Sequence, residues 1–185
     1  DFHMQDDSAA GAGSTGRTFD LNAPAGTPTL LLSGPDTSDL WRTDQNGVGL
    51  TLDLWDFTIA KQQLSTLVTL TTPVRVWGTF RMQQGTLQSG TVYVNGSWTT
   101  TGGAYGTAVA IVVQGPATQT FVSTVVLPNL FINKPSGTVL LGTGQTLITA
   151  NFTIWDGVVD LNGGTLEVRG TFSLGDGRRR SGTRR

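Results

Sequence analysis

The sequence predicts an all-β chain wound as a single-stranded β-solenoid of the right-handed parallel β-helix type, with about twenty residues per coil. Three observations point there. Composition disfavours helix: the chain carries 30 threonines, while lysine occurs only at Lys61 and Lys134 and glutamate only at Glu167, so β-branched residues abound and strong helix formers are scarce. Short apolar/polar alternations such as "TVYVNGSW" and "TLEVRGTF" have the period of half-buried strands. Finally, a unit of roughly seventy residues recurs and is itself punctuated at about twenty-residue spacing, the length of one solenoid coil. An antiparallel β-sandwich is the competing architecture, since short strands at this spacing also suit it. The solenoid is favoured because equivalent aliphatics would stack in successive coils.

Along the chain, residues 1–28 are rich in Gly, Ala, Ser, Asp and Pro and read as a flexible linker or arm. Residues 29–103 form the first repeat copy and 104–177 the second, and 178–185 are a basic tail holding half of the ten arginines. With 185 residues and 37% hydrophobic content the chain can bury a sizeable core. It has no cysteine, so neither disulfides nor thiolate metal sites enter. A formal net charge of −1 gives no overall attraction to nucleic acid, and no apolar run is long enough for a membrane span.

In copy one, "LLLSGPDTSDLW" is followed by "DFTIAKQQLSTLVTL" and then "VWGTFRMQQGTLQSGTVYVNGSW". In copy two, "IVVQGPATQTF" is followed by "NLFINKPSGTVLL" and "TANFTIWDGVVDLNGGTLEVRGTF". The copies match Gly34-Pro35 to Gly115-Pro116, Ile59 to Ile132, Lys61 to Lys134, Phe80 to Phe152, Gly85 to Gly157, Val94 to Val168, Gly96 to Gly170 and Trp98 to Phe172. Gly85, Gly157 and Gly163 are expected to supply φ > 0 at the coil corners. Parity sets Val92, Val94, Gly96 and Trp98 on one inward face, and likewise Leu166, Val168, Gly170 and Phe172.

The order "VVQGPATQTF", "NLFINKPSGTVLL", "QTLITANFTI", "GVVDLNGGTLEVRGTF" resembles the β-solenoid repeat regions of large secreted bacterial cell-surface, adhesin-like proteins. The resemblance covers most of residues 29–177. It implies a secreted or cell-surface location and a role as a rigid spacer or scaffold.

Candidate functional residues are few. The lone histidine, His3, lies in the expected arm, which removes a His-dependent triad or acid/base pair. Pectate-lyase-like and polygalacturonase-like β-helices need clustered aspartates with His or Arg. The nearest approach here is Asp156 and Asp160, four residues apart around Gly157, which could meet at a sugar or cation or could be an ordinary turn and an outward strand residue. Trp98 reads as a core stacker. Trp77 and Trp155 should point outward, to cover a loop, meet a partner or stack on a sugar ring. No metal or cofactor is expected. The expectation is a non-enzymatic structural or adhesive module that joins itself or other subunits through its solenoid ends, or alternatively a carbohydrate-binding module or degenerate polysaccharide-active β-helix contacting a surface glycan.

Overall fold

The computed structural model describes residues 2–6, 29–44 and 51–175. Their strands are β1 (Phe2–Asp6), β2 (Thr29–Gly34), β3 (Ser38–Asp44), β4 (Leu52–Leu54), β5 (Asp56–Lys61), β6 (Leu67–Leu70), β7 (Val74–Val76), β8 (Thr79–Gln84), β9 (Thr86–Val94), β10 (Ser97–Thr100), β11 (Ala104–Gln114), β12 (Gln119–Ser123), β13 (Leu127–Leu141), β14 (Thr146–Asp160), β15 (Thr165–Val168) and β16 (Phe172–Leu174). Paired strands run parallel, and the chain forms a β-solenoid of about six turns with about twenty residues per turn.

Each turn passes three faces. The first face stacks β2, β5, β8, β10, β12 and the C-terminal stretches of β13 and β14. The second carries β1, β3, β6, the starts of β9 and β11, and further along the start of β14 and β15. The third carries β4, β7, the ends of β9 and β11, the early part of β13, the middle of β14 and β16. The long strands β9, β11, β13 and β14 therefore each bend around a corner and serve two or three faces.

The sequence alternation becomes inward and outward side chains. On the first face Phe57, Phe80, Trp98 and Phe121 sit in register and are buried. Phe57 meets Phe80 edge-on at 5.5 Å and 81°, and the other rings stack along the axis: Phe80 and Trp98 lie 4.0 Å apart at 14°, and Trp98 and Phe121 5.4 Å apart at 4°. On the third face the ladder Leu52, Val74, Val92, Ile111, Leu130, Phe152 closes the opposite wall. These ladders form one continuous apolar core, the main favourable term for a chain with so little helix.

Two sequence expectations are revised. Gly96 and Gly170 are not core positions on a single strand face but corners, where the chain leaves one face for the next. A Cβ on Gly96 would collide with the Gly78 carbonyl oxygen, and one on Gly170 would lie 2.7 Å from that of Ala150. Parity survives the corner, so Trp98 points inward as expected, but from the first face rather than beside Val92 and Val94. Residues 2–6, expected within a loose arm, form β1 and pair in parallel with β3. Residues 7–28 and the basic tail lie outside the described residues.

The two lysines explain the strongest sequence matches. Lys61 Nζ donates to the Ser33 and Asp36 carbonyls and to Ser38 Oγ, bracing the Gly34-Pro35 corner of the preceding turn. Lys134 Nζ does the same for the Gly115-Pro116 corner, donating to the Gly115 and Ala117 carbonyls at 2.8 and 2.7 Å and to Gln119 Oε1 at 2.7 Å. In the following turn a glycine with positive φ, Gly85 (104°) or Gly157 (112°), lies against the lysine stem. A Cβ there would approach Lys61 or Lys134 Cβ to 2.9 Å. The same three-tier device is thus built twice. It does not return to the same face: Lys61 leaves the first face and Lys134 the third, so the matched unit spans three full turns and two further faces.

Candidate functional site

The outward side chains of the third face, and the corner that follows it, gather the exposed aromatic groups. Pairing places Asp53, Arg75, Tyr93, Val112, Phe131 and Thr153 in one outward column. The residues two positions later, at the corner, make a second column: Trp55, Trp77, Asn95, Gln114, Asn133 and Trp155. Its backbone is tied by Trp77 N to the Leu54 carbonyl, by Asn95 N to that of Val76, and by the pairing of Gln114 with Asn133. Trp77 and Trp155, expected to point outward, do so with 40% and 42% exposure. The structure adds that they share one longitudinal edge, four pairing steps or roughly 19 Å apart at ~4.8 Å per step.

Trp155 reaches the surface through a bulge. Ile132 pairs with Ile154 but Asn133 pairs with Asp156, leaving Trp155 as the extra residue. Ile59 pairs with Met82 and Ala60 with Gln84, leaving Gln83 in the same position of the first lysine device. The bulge belongs to the corner architecture, whereas the identity of its extra residue does not, and a bulge re-aims that side chain. The Trp155 ring stacks on Phe131 at 4.9 Å and 20°.

At the other cluster Asp53 accepts from Arg75 at 3.2 Å and from Trp77 Nε1 at 3.1 Å. The Arg75 guanidinium lies over the rings of Trp77 and Tyr93 at 5.8 and 5.9 Å. Between the clusters Gln114 Nε2 donates to Asn95 Oδ1 at 2.9 Å.

Asp156 and Asp160 do not form a joint site. The Asp160 carboxylate accepts from its own Asn162 N at 2.8 Å, which fixes the turn in which Asn162 takes φ 50°. Gly163, φ 74°, completes that turn as expected. Asp156 is half-buried beside Trp155, and its carboxylate has no partner among the described residues. Among the described residues no three His, Cys, Asp or Glu side chains come together as metal ligands.

Sequence reasoning missed Trp55, Tyr93, Phe131 and Asn133. Trp55 follows Leu54 as Trp77 follows Val76, a repeat of the pattern apolar-Trp at 22-residue spacing that was available in the sequence. Tyr93 and Phe131 carried no such signal, because their alignment depends on lateral pairing. No known protein family, curated protein or solved structure matches the chain.

Proposed function

We propose that the chain is a non-enzymatic structural or adhesive rod, set at the cell surface or outside the cell, whose solenoid ends accept further coils from a second copy. The supporting observation is the state of the last described turn. β15 and β16 each pair only with β14, leaving one edge of each without a strand partner among the described residues. Above buried Phe152, Phe172 stacks at 5.9 Å yet is 55% exposed, and its neighbour Leu174 is 70% exposed. An apolar ladder that emerges beside unpaired strand edges is a template for strand addition. The likeness of the repeat to surface-protein stalks supports the location.

The test is light scattering with negative-stain imaging over a range of concentrations. Rods that lengthen with concentration, and that are lost in Phe172→Asp/Leu174→Asp, are the expected result. A compact monomer at every concentration refutes end joining.

A further inference from the structure

Half-buried Tyr93 and Phe131, with buried Val112 between them, stand in register in the outward column of the third face, and exposed Trp77 and Trp155 flank them along the adjoining corner. Nothing in the solenoid requires this. At the equivalent bulge of the first lysine device the extra residue is Gln83, which is exposed and polar. The core ladders are complete without any of the outer rings.

The polar groups between the rings set the chemistry. Asn95 and Gln114 join through a single amide–amide hydrogen bond, which leaves further donors and acceptors on both amides. Asn133 makes no side-chain hydrogen bond among the described residues, and it faces the strand next to the unpartnered Asp156 carboxylate. Among the described residues the one cation in the strip, Arg75, is committed to Asp53, so the strip itself offers a polyanion no free positive charge. A protein partner would favour a wholly apolar centre, whereas here the ring column of Tyr93 and Phe131 runs beside an unbroken amide column, Asn95, Gln114 and Asn133. A sugar ring has the matching character: C–H faces for aromatic platforms and equatorial hydroxyls for amides and a carboxylate.

From this juxtaposition we infer that the strip from Trp77 to Trp155 is a binding site for an extended neutral polysaccharide lying along the solenoid axis. Trp155, backed by Phe131, stacks one sugar ring on its free face while Asn133 and Asp156 hold its hydroxyls, and Trp77 with Tyr93 engages a residue further along the same chain. A ligand long enough to reach both clusters binds more tightly than a short one by the gain in effective concentration. This site does not depend on end joining.

The experiment is affinity electrophoresis of the full chain in gels containing xylan, mixed-linkage β-glucan or galactomannan, followed by titration with oligosaccharides of the retarding polymer. Retardation by at least one polymer is expected, with affinity rising from disaccharide to hexasaccharide. Trp155→Ala and Asp156→Ala should each weaken binding about tenfold, roughly 1.4 kcal/mol, while Leu64→Ala, at an exposed loop position on another edge, leaves it unchanged. Absence of retardation by all three polymers overturns the inference, as does retardation that both variants retain. Light scattering on the same samples separates the two readings: a monomer that binds polysaccharide defeats the rod and keeps the site, and a rod that binds none does the reverse.

Discussion

Lys134 is the residue on which the second lysine device turns. It is fully buried, and its ammonium is held by two carbonyl oxygens and one amide oxygen rather than by a carboxylate. Lys134→Met keeps the stem against Gly157 but orphans those acceptors, at a cost of about 2–3 kcal/mol, readable as a lower urea midpoint. Burial also holds the Lys134 pKa below its ordinary 10.5. The folded chain therefore releases that proton at lower pH than the unfolded chain, and stability rises as pH climbs from the folded pKa toward 10.5. Tyr105, whose phenol burial pushes upward, acts in the opposite sense above its ordinary 10.0, so the comparison of parent with variant isolates the lysine. The gap between their urea midpoints should widen as pH rises toward 10.5; a constant gap would contradict the assignment. At Gly96 the limit is steric. Gly96→Ala drives a methyl into the Gly78 carbonyl, and the expected outcome is loss of the folded circular-dichroism signal at a temperature where the parent is intact.

Among the elements, the aromatic ladder on the first face is the most exacting. Trp98 joins β8 to β12 by stacking on Phe80 and Phe121, so Trp98→Ala should cost about 3–5 kcal/mol by loss of burial and creation of a cavity. The indole N–H has no hydrogen-bond partner among the described residues, which makes Trp98→Phe much milder than Trp98→Ala in the same denaturation assay. Strand existence and inward parity were legible in the sequence, because alternation at Thr91–Val94 and Thr165–Val168 maps directly onto inward and outward side chains. The corners at Gly96 and Gly170 were not, since a two-residue corner preserves parity and looks like continued strand. Lateral neighbours were illegible for a related reason. Eighteen residues separate Val74 from Val92 and twenty-two separate Leu130 from Phe152, so no fixed period would have aligned Tyr93 with Phe131 or revealed Trp155 as a bulge.

For the whole molecule, the sequence repeat and the structural turn are different periods. The Gly-Pro corner, the lysine and the glycine were matched correctly from sequence because each contact lies within one local device. Their placement on different faces was hidden, because it depends on how many residues each intervening corner consumes. The fold is accordingly non-local. Strands about twenty residues apart pair throughout, and folding should be slow for the chain's size, with a single refolding phase seen by tryptophan fluorescence in the second range or longer. A millisecond refolding rate would contradict that expectation.

The mismatch between the two periods has a bearing on fidelity. In any array extended with further such units, each copy would arrive two faces on from the last, and roughly three copies would be needed before a device came back above its own likeness. The unit's length of more than three turns already keeps identical segments off adjacent rungs, and the offset keeps neighbouring copies out of one column as well. Stacks of identical segments in register are the geometry of amyloid, and they also permit a chain to slip by one rung without loss. At the two lysine devices each rung meets an unlike neighbour, lysine over Gly-Pro and glycine over lysine, so a slipped rung would lose those contacts at once. The out-of-phase repeat gives a duplicated sequence a proofreading rule against its own miswinding.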